Sequence, residues 1–266
     1  MMKSQTKWLA ALMPFLFLSC RDHLMQNITN KQIENIENTK RENDIGSIKL
    51  PAGYEKIIAP AKSFHSYLTS IKLKTDKTVY LFDGSRKANQ SAQYAVLDIS
   101  VGNKDLQQCA DAVMRLRAEY FYEQKKYGEI EFYNGRREKI NYMQWLGSRQ
   151  NTREMFMKYM QHVFNYCGTA SLPYSVKNKS LQAMQPGDIL LKPGSPGHTV
   201  MVMDMAKNSD GKRIYLLAQS YMPAQDIHVL QNPMNPTLSP WYQLNDEKAI
   251  DTPEWNFYSN QLYGWK

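Results

Sequence analysis

The 266-residue sequence has only three cysteines, and it lacks the short motifs of several enzyme classes. It contains no HExxH motif, no CxxC motif and no pair of histidines at ligand spacing, so we expect no bound metal. A phosphate-binding loop and a Gly-X-Ser-X-Gly motif are also absent. These absences exclude the best-known metal, nucleotide and nucleophile-elbow signatures, and we expect no cofactor.

The sequence also lacks lysine and arginine clusters interleaved with aromatic residues, although its formal net charge is +8. A moderate basic excess suits contact with acidic polymers or an anionic membrane surface, and by itself it selects neither. We therefore expect no nucleic-acid partner. There are no internal repeats, and the length allows one substantial core or two small ones.

No apolar run reaches the roughly 20 residues that a confident membrane-spanning helix needs. The longest run, Trp8 to Leu18, follows Lys3 and Lys7 and has about the length of a signal-peptide core. It ends in Phe17-Leu18-Ser19-Cys20, which resembles a bacterial lipobox, although Phe17 replaces the usual aliphatic residue. The resemblance implies a signal peptide over residues 1–19 and lipidation of Cys20.

A lipidated Cys20 implies an exported lipoprotein that is anchored in a membrane and faces the periplasm or the cell surface. The alternative is an ordinary cleaved signal peptide with an incidental cysteine. Residues 20–47 are rich in Asn, Lys, Glu and Gln and contain no aromatic residue, which is typical of a flexible tether. We expect one folded domain over residues 48–266.

The first half of this domain is predicted to combine strands and two long helices. Strands are expected at Val79–Gly84 and Gln93–Ile99, paired with each other, and in a hairpin of Glu129–Tyr133 with Lys139–Tyr142 across Asn134-Gly135. Asn103 to Asp105 supply cap residues for a helix from Asp105 to about Lys125. A second helix is predicted over Asn151 to Tyr166.

The second half is predicted to consist mainly of strands. Gln185 to Met203 indicates a strand, a turn dense in proline and glycine, and a second strand that begins at His198. Further strands are expected at Arg213–Gln219 and Asp226–Leu230, and the aromatic tail from Trp241 should form an edge strand or a cover. The order predicts an α+β fold with helices packed on an antiparallel sheet.

Cys109 and His198 are the candidate catalytic pair. Cys109 lies on the inward face near the start of a predicted helix, where backbone N–H groups favour a thiolate. His198 follows the tight turn at the start of a strand, a position from which it can take a proton from a nucleophile. Gln219 ends the next strand and is the first choice for the group that orients the imidazole, and Ser220 is the second.

Other interpretations of these residues remain open. Cys109 could be a small core residue, or it could form a disulfide with Cys167 in an exported protein. His198 could be a turn residue without a catalytic role, and His228, within a predicted strand, is its strongest rival. Tyr94, Asn103 and Gln108 are alternative candidates for an oxyanion-hole partner.

The order of these motifs resembles that of NlpC-type, papain-like cell-wall peptidases. Gln108-Cys109-Ala110-Asp111, then Pro186-Gly187-Asp188, then His198-Thr199-Val200 and finally Gln219 follow the family's order of cysteine, Pro-Gly-Asp strand, histidine strand and third polar residue. The Asp and Gly that flank the family's cysteine are missing, the cysteine-to-histidine spacing is longer, and Gln replaces the common third His. The resemblance covers residues 105–230 and implies a papain-like fold.

A closer resemblance is to a bacterial family known only as a domain of unknown function. Residues 105–120 and 218–225 carry it, and it extends over the whole folded part. Together, the resemblances imply a cell-envelope lipoprotein that acts as a cysteine amidase or peptidase on cell-wall peptide amides. The alternative is an inactive papain-like lipoprotein that binds a glycan, a peptide or a protein partner. The sequence does not indicate an oligomeric state.

Overall fold

The computed structural model describes residues 43–246 and 248–266. The predicted signal peptide, Cys20 and most of the predicted tether lie outside the described residues. Asp44 to Ser47, just before the predicted boundary at residue 48, pack with the folded unit. Ile45 is fully buried in the core, and the Ser47 side chain and backbone are bonded to Asp44.

Within the described residues the fold contains four α-helices and thirteen strands. The helices are α1 (Phe64–Ser70), α2 (Cys109–Glu123), α3 (Tyr142–Leu146) and α4 (Arg153–Tyr166). The strands are β1 (Tyr54–Lys56), β2 (Gln93–Val96), β3 (Glu131–Tyr133), β4 (Lys139–Asn141), β5 (Val176–Asn178), β6 (Ile189–Lys192), β7 (His198–Asn208), β8 (Arg213–Gln219), β9 (His228–Leu230), β10 (Tyr242–Leu244), β11 (Ala249–Asp251), β12 (Asn256–Tyr258) and β13 (Leu262–Trp265).

A nine-stranded antiparallel sheet organises the domain in the order β2-β9-β8-β7-β6-β13-β5, with β1 added to β7 and β10 to β8. The α+β prediction is therefore confirmed. The predicted hairpins of β3 with β4 and of β6 with β7 are present as well. The architecture shows the α+β class, and it does not by itself identify a papain-like fold.

The sheet separates two hydrophobic clusters. Met201 and Met203 of β7 face the larger cluster, which includes buried residues of the helices, and Val200 and Val202 face a smaller one. The register of β7 against β8 shifts between Val202 and Asp204. Because a bulge changes which face successive residues point to, Met205 joins the smaller cluster.

The structure corrects the predicted partner of Gln93–Ile99. Val79–Gly84 does not form a strand and makes only isolated bridges, through Tyr80 and Leu81. β2 pairs with β9 instead. The physical reason is that the Val79–Gly84 segment is bonded to Asp226 instead. The Asp226 carboxylate accepts a hydrogen bond from the Tyr80 backbone N–H at 3.1 Å and forms an ion pair with Lys74 at 2.9 Å.

The aromatic tail is also placed differently from the prediction. Its last strand, β13, lies between β6 and β5 inside the sheet rather than at an edge. The indole N–H of Trp265 donates to the Gly187 carbonyl at 2.9 Å, which fixes this strand beside the turn that precedes β6. The remainder of the tail does form a cover, because Trp255 and Phe257 pack against His198.

Candidate active site

Cys109 is the first residue of α2, as a helix-start nucleophile requires. The predicted cap at Asn103 to Asp105 is wrong, since the chain stays in turns until Gln108, whose extended backbone precedes the helix. The Asp105 carboxylate instead accepts bonds from the Ala224 backbone N–H at 2.7 Å and from the Gln108 side chain at 3.1 Å. The helix start therefore falls on the cysteine itself.

The thiol of Cys109 lies against the start of β7. The backbone N–H of Thr199, the residue after His198, faces the sulfur, as do the N–H groups of Ala110 and Cys109 itself. Such donors favour a thiolate, but the side chain is only 8% exposed. Burial, reinforced by the carboxyl of Asp111, raises the pKa of the Cys109 thiol to about 11.

His198 is held by Gln219, as the sequence predicts. The ring Nε2 lies 2.8 Å from Gln219 Oε1, and both side chains are buried. The imidazole is enclosed by Tyr221, Trp255 and Phe257, whose ring centroids lie 4.8 to 5.9 Å from its own. Burial lowers the pKa of His198 to about 4, so the ring is neutral at physiological pH.

Gln219 is fixed in turn by a buried ion pair. Its Nε2 donates to Glu254 Oε2 at 2.8 Å, and the same oxygen accepts from Lys87 Nζ at 2.5 Å. Asn89 Nδ2 donates to the other oxygen of Glu254 at 3.2 Å. Sequence reasoning missed Lys87, Asn89 and Glu254, because Glu254 lies at least 165 residues from the other two and none of them belongs to a local motif.

The structure bears on two rival interpretations: His228 in place of His198, and a disulfide between Cys109 and Cys167. His228 is fully buried, donates from Nδ1 to the Asp226 carbonyl at 2.9 Å, and its Nε2 lies 3.5 Å from Gln219 Nε2. His228 therefore contacts the same Gln219 amide that holds His198. Cys109 and Cys167 are both free thiols, so the alternative of a disulfide is wrong for this structure.

An open cleft of about 270 Å³ gives access to Cys109. Its lining comes from the segment before α2, the start of α2, the end of α4 and the turn before His198, and it includes Gln108, Phe164, Thr169 and Met222. Of the three candidates for an oxyanion-hole partner, Gln108 therefore lines the cleft, whereas Tyr94 and Asn103 are not among the lining residues.

The turn that precedes His198 is tightly constrained. Thr169 Oγ1 donates to the Gly194 carbonyl at 2.8 Å. A Cβ atom at Gly197 would lie 2.3 Å from that carbonyl oxygen and 2.4 Å from Thr169 Oγ1, so glycine alone fits. This packing fixes where β7 begins, and hence where His198 stands.

Two further features of the described residues concern metals and membranes. No cluster of three or more His, Cys, Asp or Glu side chains in residues 43–246 and 248–266 is arranged to hold a metal ion. The helices of the same part of the chain are too short or too polar to cross a membrane.

A family model described as a domain of unknown function (4846) matches the chain in two segments, residues 46–151 and 146–263. The chain belongs to this family. The predicted resemblance to an uncharacterised family is thereby confirmed, and the matched segments of this family contain Cys109, His198 and Gln219. No curated protein and no solved structure matches the chain. The resemblance to NlpC-type peptidases stays a hypothesis.

Proposed function

We propose that this protein is a cysteine amidase or peptidase of the cell envelope that acts on peptide amides of the cell wall. The observation that carries the proposal is the placement of Cys109. It begins a helix, its thiol faces the backbone of the residue next to His198, and it opens on a cleft. The lipobox-like sequence ending at Cys20 supports a membrane anchor near this substrate.

The resting pair of Cys109 and His198 is neutral. Among the described residues, no hydrogen bond joins the thiol to the ring, and the two pKa directions oppose a thiolate–imidazolium pair. Proton transfer must therefore accompany the attack rather than precede it. His198 acts as a general base, in the way that a histidine activates a hydroxyl nucleophile.

The hydrogen bonds around His198 support one tautomer of the neutral ring. Glu254 only accepts hydrogen bonds, so it fixes Gln219 with Nε2 towards the carboxylate and Oε1 towards His198. Because Oε1 also only accepts, the neutral ring carries its proton on Nε2. Nδ1 is left unprotonated and is the atom that takes the proton of Cys109.

In the proposed reaction, the Cys109 sulfur bonds to the carbonyl carbon of the amide while its proton moves to His198. The protonated ring then donates that proton to the leaving amine as the C–N bond breaks. Water hydrolyses the resulting thioester, with His198 again as base, and restores the free thiol. Backbone N–H groups at the start of α2 are suited to stabilise the oxyanion.

Cleavage of purified cell-wall peptides by the full chain tests the proposal. The wild type is expected to release peptide fragments detectable by mass spectrometry, and Cys109→Ser and His198→Ala are expected to release none above background. A Cys167→Ala variant is the matched control, because it removes the other thiol of the cleft. Equal cleavage by wild type and Cys109→Ser would contradict the proposal.

A second candidate function is an inactive lipoprotein that binds a glycan, a peptide or a protein partner. The raised pKa of the Cys109 thiol and the lowered pKa of His198 favour it, because burial leaves both groups neutral. On this account, Cys109→Ser would retain cell-wall peptides in equilibrium binding as well as the wild type does, and neither protein would cleave them.

A further inference from the structure

Asp111 is an unusual residue for the start of a helix that carries a nucleophile. Its side chain is only 6% exposed, and it lines the cleft beside Cys109. One oxygen, Oδ2, accepts a bond from the Gln108 backbone N–H at 3.0 Å. The other oxygen, Oδ1, is buried and has no hydrogen-bond partner.

A buried carboxyl oxygen without a partner is costly, because it loses its hydration and gains nothing in return. Burial accordingly raises the pKa of Asp111 to about 8. The helix cap alone does not explain the residue, since one oxygen is enough for the bond to Gln108. A donor that enters the cleft and shifts the atoms covering Oδ1 would supply its missing partner.

The charges around the cleft indicate which kind of group this is. Its lining contains two carboxyl side chains, Asp105 and Asp111, and two thiols, Cys109 and Cys167, and no lysine, arginine or histidine among the described residues. This local acidity contrasts with the net charge of +8 for the whole chain. The side of the cleft formed by the start of α2 thus lacks a cation to balance it.

We propose that Asp111 binds a primary ammonium group of the substrate, so that the preferred substrates are peptide amides with a free amine near the scissile bond. The inference rests on the proposed hydrolase function. An ammonium donates the hydrogen bond that Oδ1 lacks and favours the ionised carboxylate, so its binding releases the proton that burial holds on Asp111 near neutral pH. The cation then offsets the negative charge beside the Cys109 thiol, which couples amine recognition to the nucleophile.

Charged thiol reagents test the site without requiring turnover. Methanethiosulfonates react when the thiolate attacks their divalent sulfur, forms a mixed disulfide and releases methanesulfinate. The full chain with Cys167→Ala is treated with the 2-aminoethyl and the neutral 2-hydroxyethyl reagent, and modification of Cys109 is followed by mass spectrometry. The ratio of the two rate constants cancels the thiolate fraction and reports preference for the cation.

Asp111→Asn and Asp105→Asn are the matched variants. Asparagine cannot ionise, so each variant loses the carboxyl group that could pair with a cation, and it keeps the oxygen that accepts the existing backbone bonds in each case. We expect the cation preference to fall about tenfold in Asp111→Asn, equivalent to about 1.4 kcal/mol. In Asp105→Asn it should fall about twofold or less, because that carboxylate is exposed.

An equal change in both variants, or no change in Asp111→Asn, would overturn the ammonium site. A further check needs no variant of Asp111. The ratio of the two rate constants for Cys109, with Asp111 in place, should exceed the same ratio for a free cysteine peptide. Failure of the hydrolase proposal is recognised separately, because it appears as a lack of any effect of His198→Ala on acylation of Cys109.

Discussion

Gln219 Nε2 lies 2.8 Å from Glu254 Oε2, while Gln219 Oε1 lies 2.8 Å from His198 Nε2. One amide thus joins a buried ion pair to the candidate base. The Lys87 partner of Glu254 is only 7% exposed, and burial lowers its pKa, so the lysine depends on Glu254 to stay charged. Several consequences of this connection can be measured.

Replacement of Glu254 should destabilise the fold through Lys87. Glu254→Gln leaves the lysine buried without its counter-ion, and removing one partner of a buried ion pair costs about 3–5 kcal/mol. Urea unfolding measures the loss. The double variant Lys87→Met/Glu254→Gln should recover most of it, and equal stability of the single and double variants would show that the ion pair does not matter.

Glu254→Gln should also impair the site. A glutamine at this position can offer its own N–H₂ to Gln219, so the amide of Gln219 is no longer fixed with Oε1 towards His198. We expect acylation of Cys109 to slow about tenfold, which corresponds to about 1.4 kcal/mol, within the range of one hydrogen bond. The double variant with Lys87→Met should stay slow while it regains stability, which separates positioning from folding.

Acid should destabilise the protein through its buried histidines. The pKa of His198 is lowered to about 4 and that of His228 to about 3, in both cases chiefly by burial. Because an unfolded histidine titrates near 6.5, the unfolded state binds more protons below that pH. Stability is therefore complete above pH 6.5 and is lost as the pH falls towards 4.

The melting temperature measured across this range tests the histidine assignment. His228→Gln removes one of the two groups and should flatten the dependence between pH 6.5 and 4. A wild-type melting temperature independent of pH in this range would contradict the buried, neutral histidines.

Asp111 should produce the opposite pH dependence. Its folded pKa of about 8 exceeds the unfolded value, so the folded state retains a proton that the unfolded state loses. Its contribution to stability is therefore greatest in acid and is lost as the pH rises from about 4 to 8. Asp111→Asn should gain in melting temperature relative to the wild type as the pH rises through this range. A constant difference would mean that Asp111 titrates normally.

Sequence patterns over a few neighbouring residues predict the positions of His198 and Gln219 in their strands. The proline- and glycine-rich turn places His198 at the start of β7, and the strand pattern places Gln219 at the end of β8. The family assignment from residues 105–120 and 218–225 is confirmed as well. The sequence indicates a start of α2 a few residues early, because the carboxylate of Asp105 has the chemistry of a cap but bonds to the distant backbone N–H of Ala224.

The rest of the fold and site depends on contacts that sequence spacing does not reveal. Lys87 and Glu254 meet only when the tail reaches Gln219 at the end of β8, and Asp226 diverts Val79–Gly84 from a regular strand through tertiary bonds. β13 likewise pairs with β5 and β6, which lie far from it in the sequence. Periodicity identifies strands, but it does not identify their neighbours.

Acylation of Cys109 by p-nitrophenyl acetate near neutral pH tests the central claim most directly. The thiol attacks the ester carbonyl, p-nitrophenolate leaves, and mass spectrometry locates the acetyl group. We expect acetylation of Cys109 in the wild type and in Cys167→Ala, and a loss of about 100-fold or more in His198→Ala, since general-base catalysis contributes at least about that much. Equal acylation rates in the wild type and His198→Ala, or an unmodified Cys109, would contradict a Cys109–His198 hydrolase.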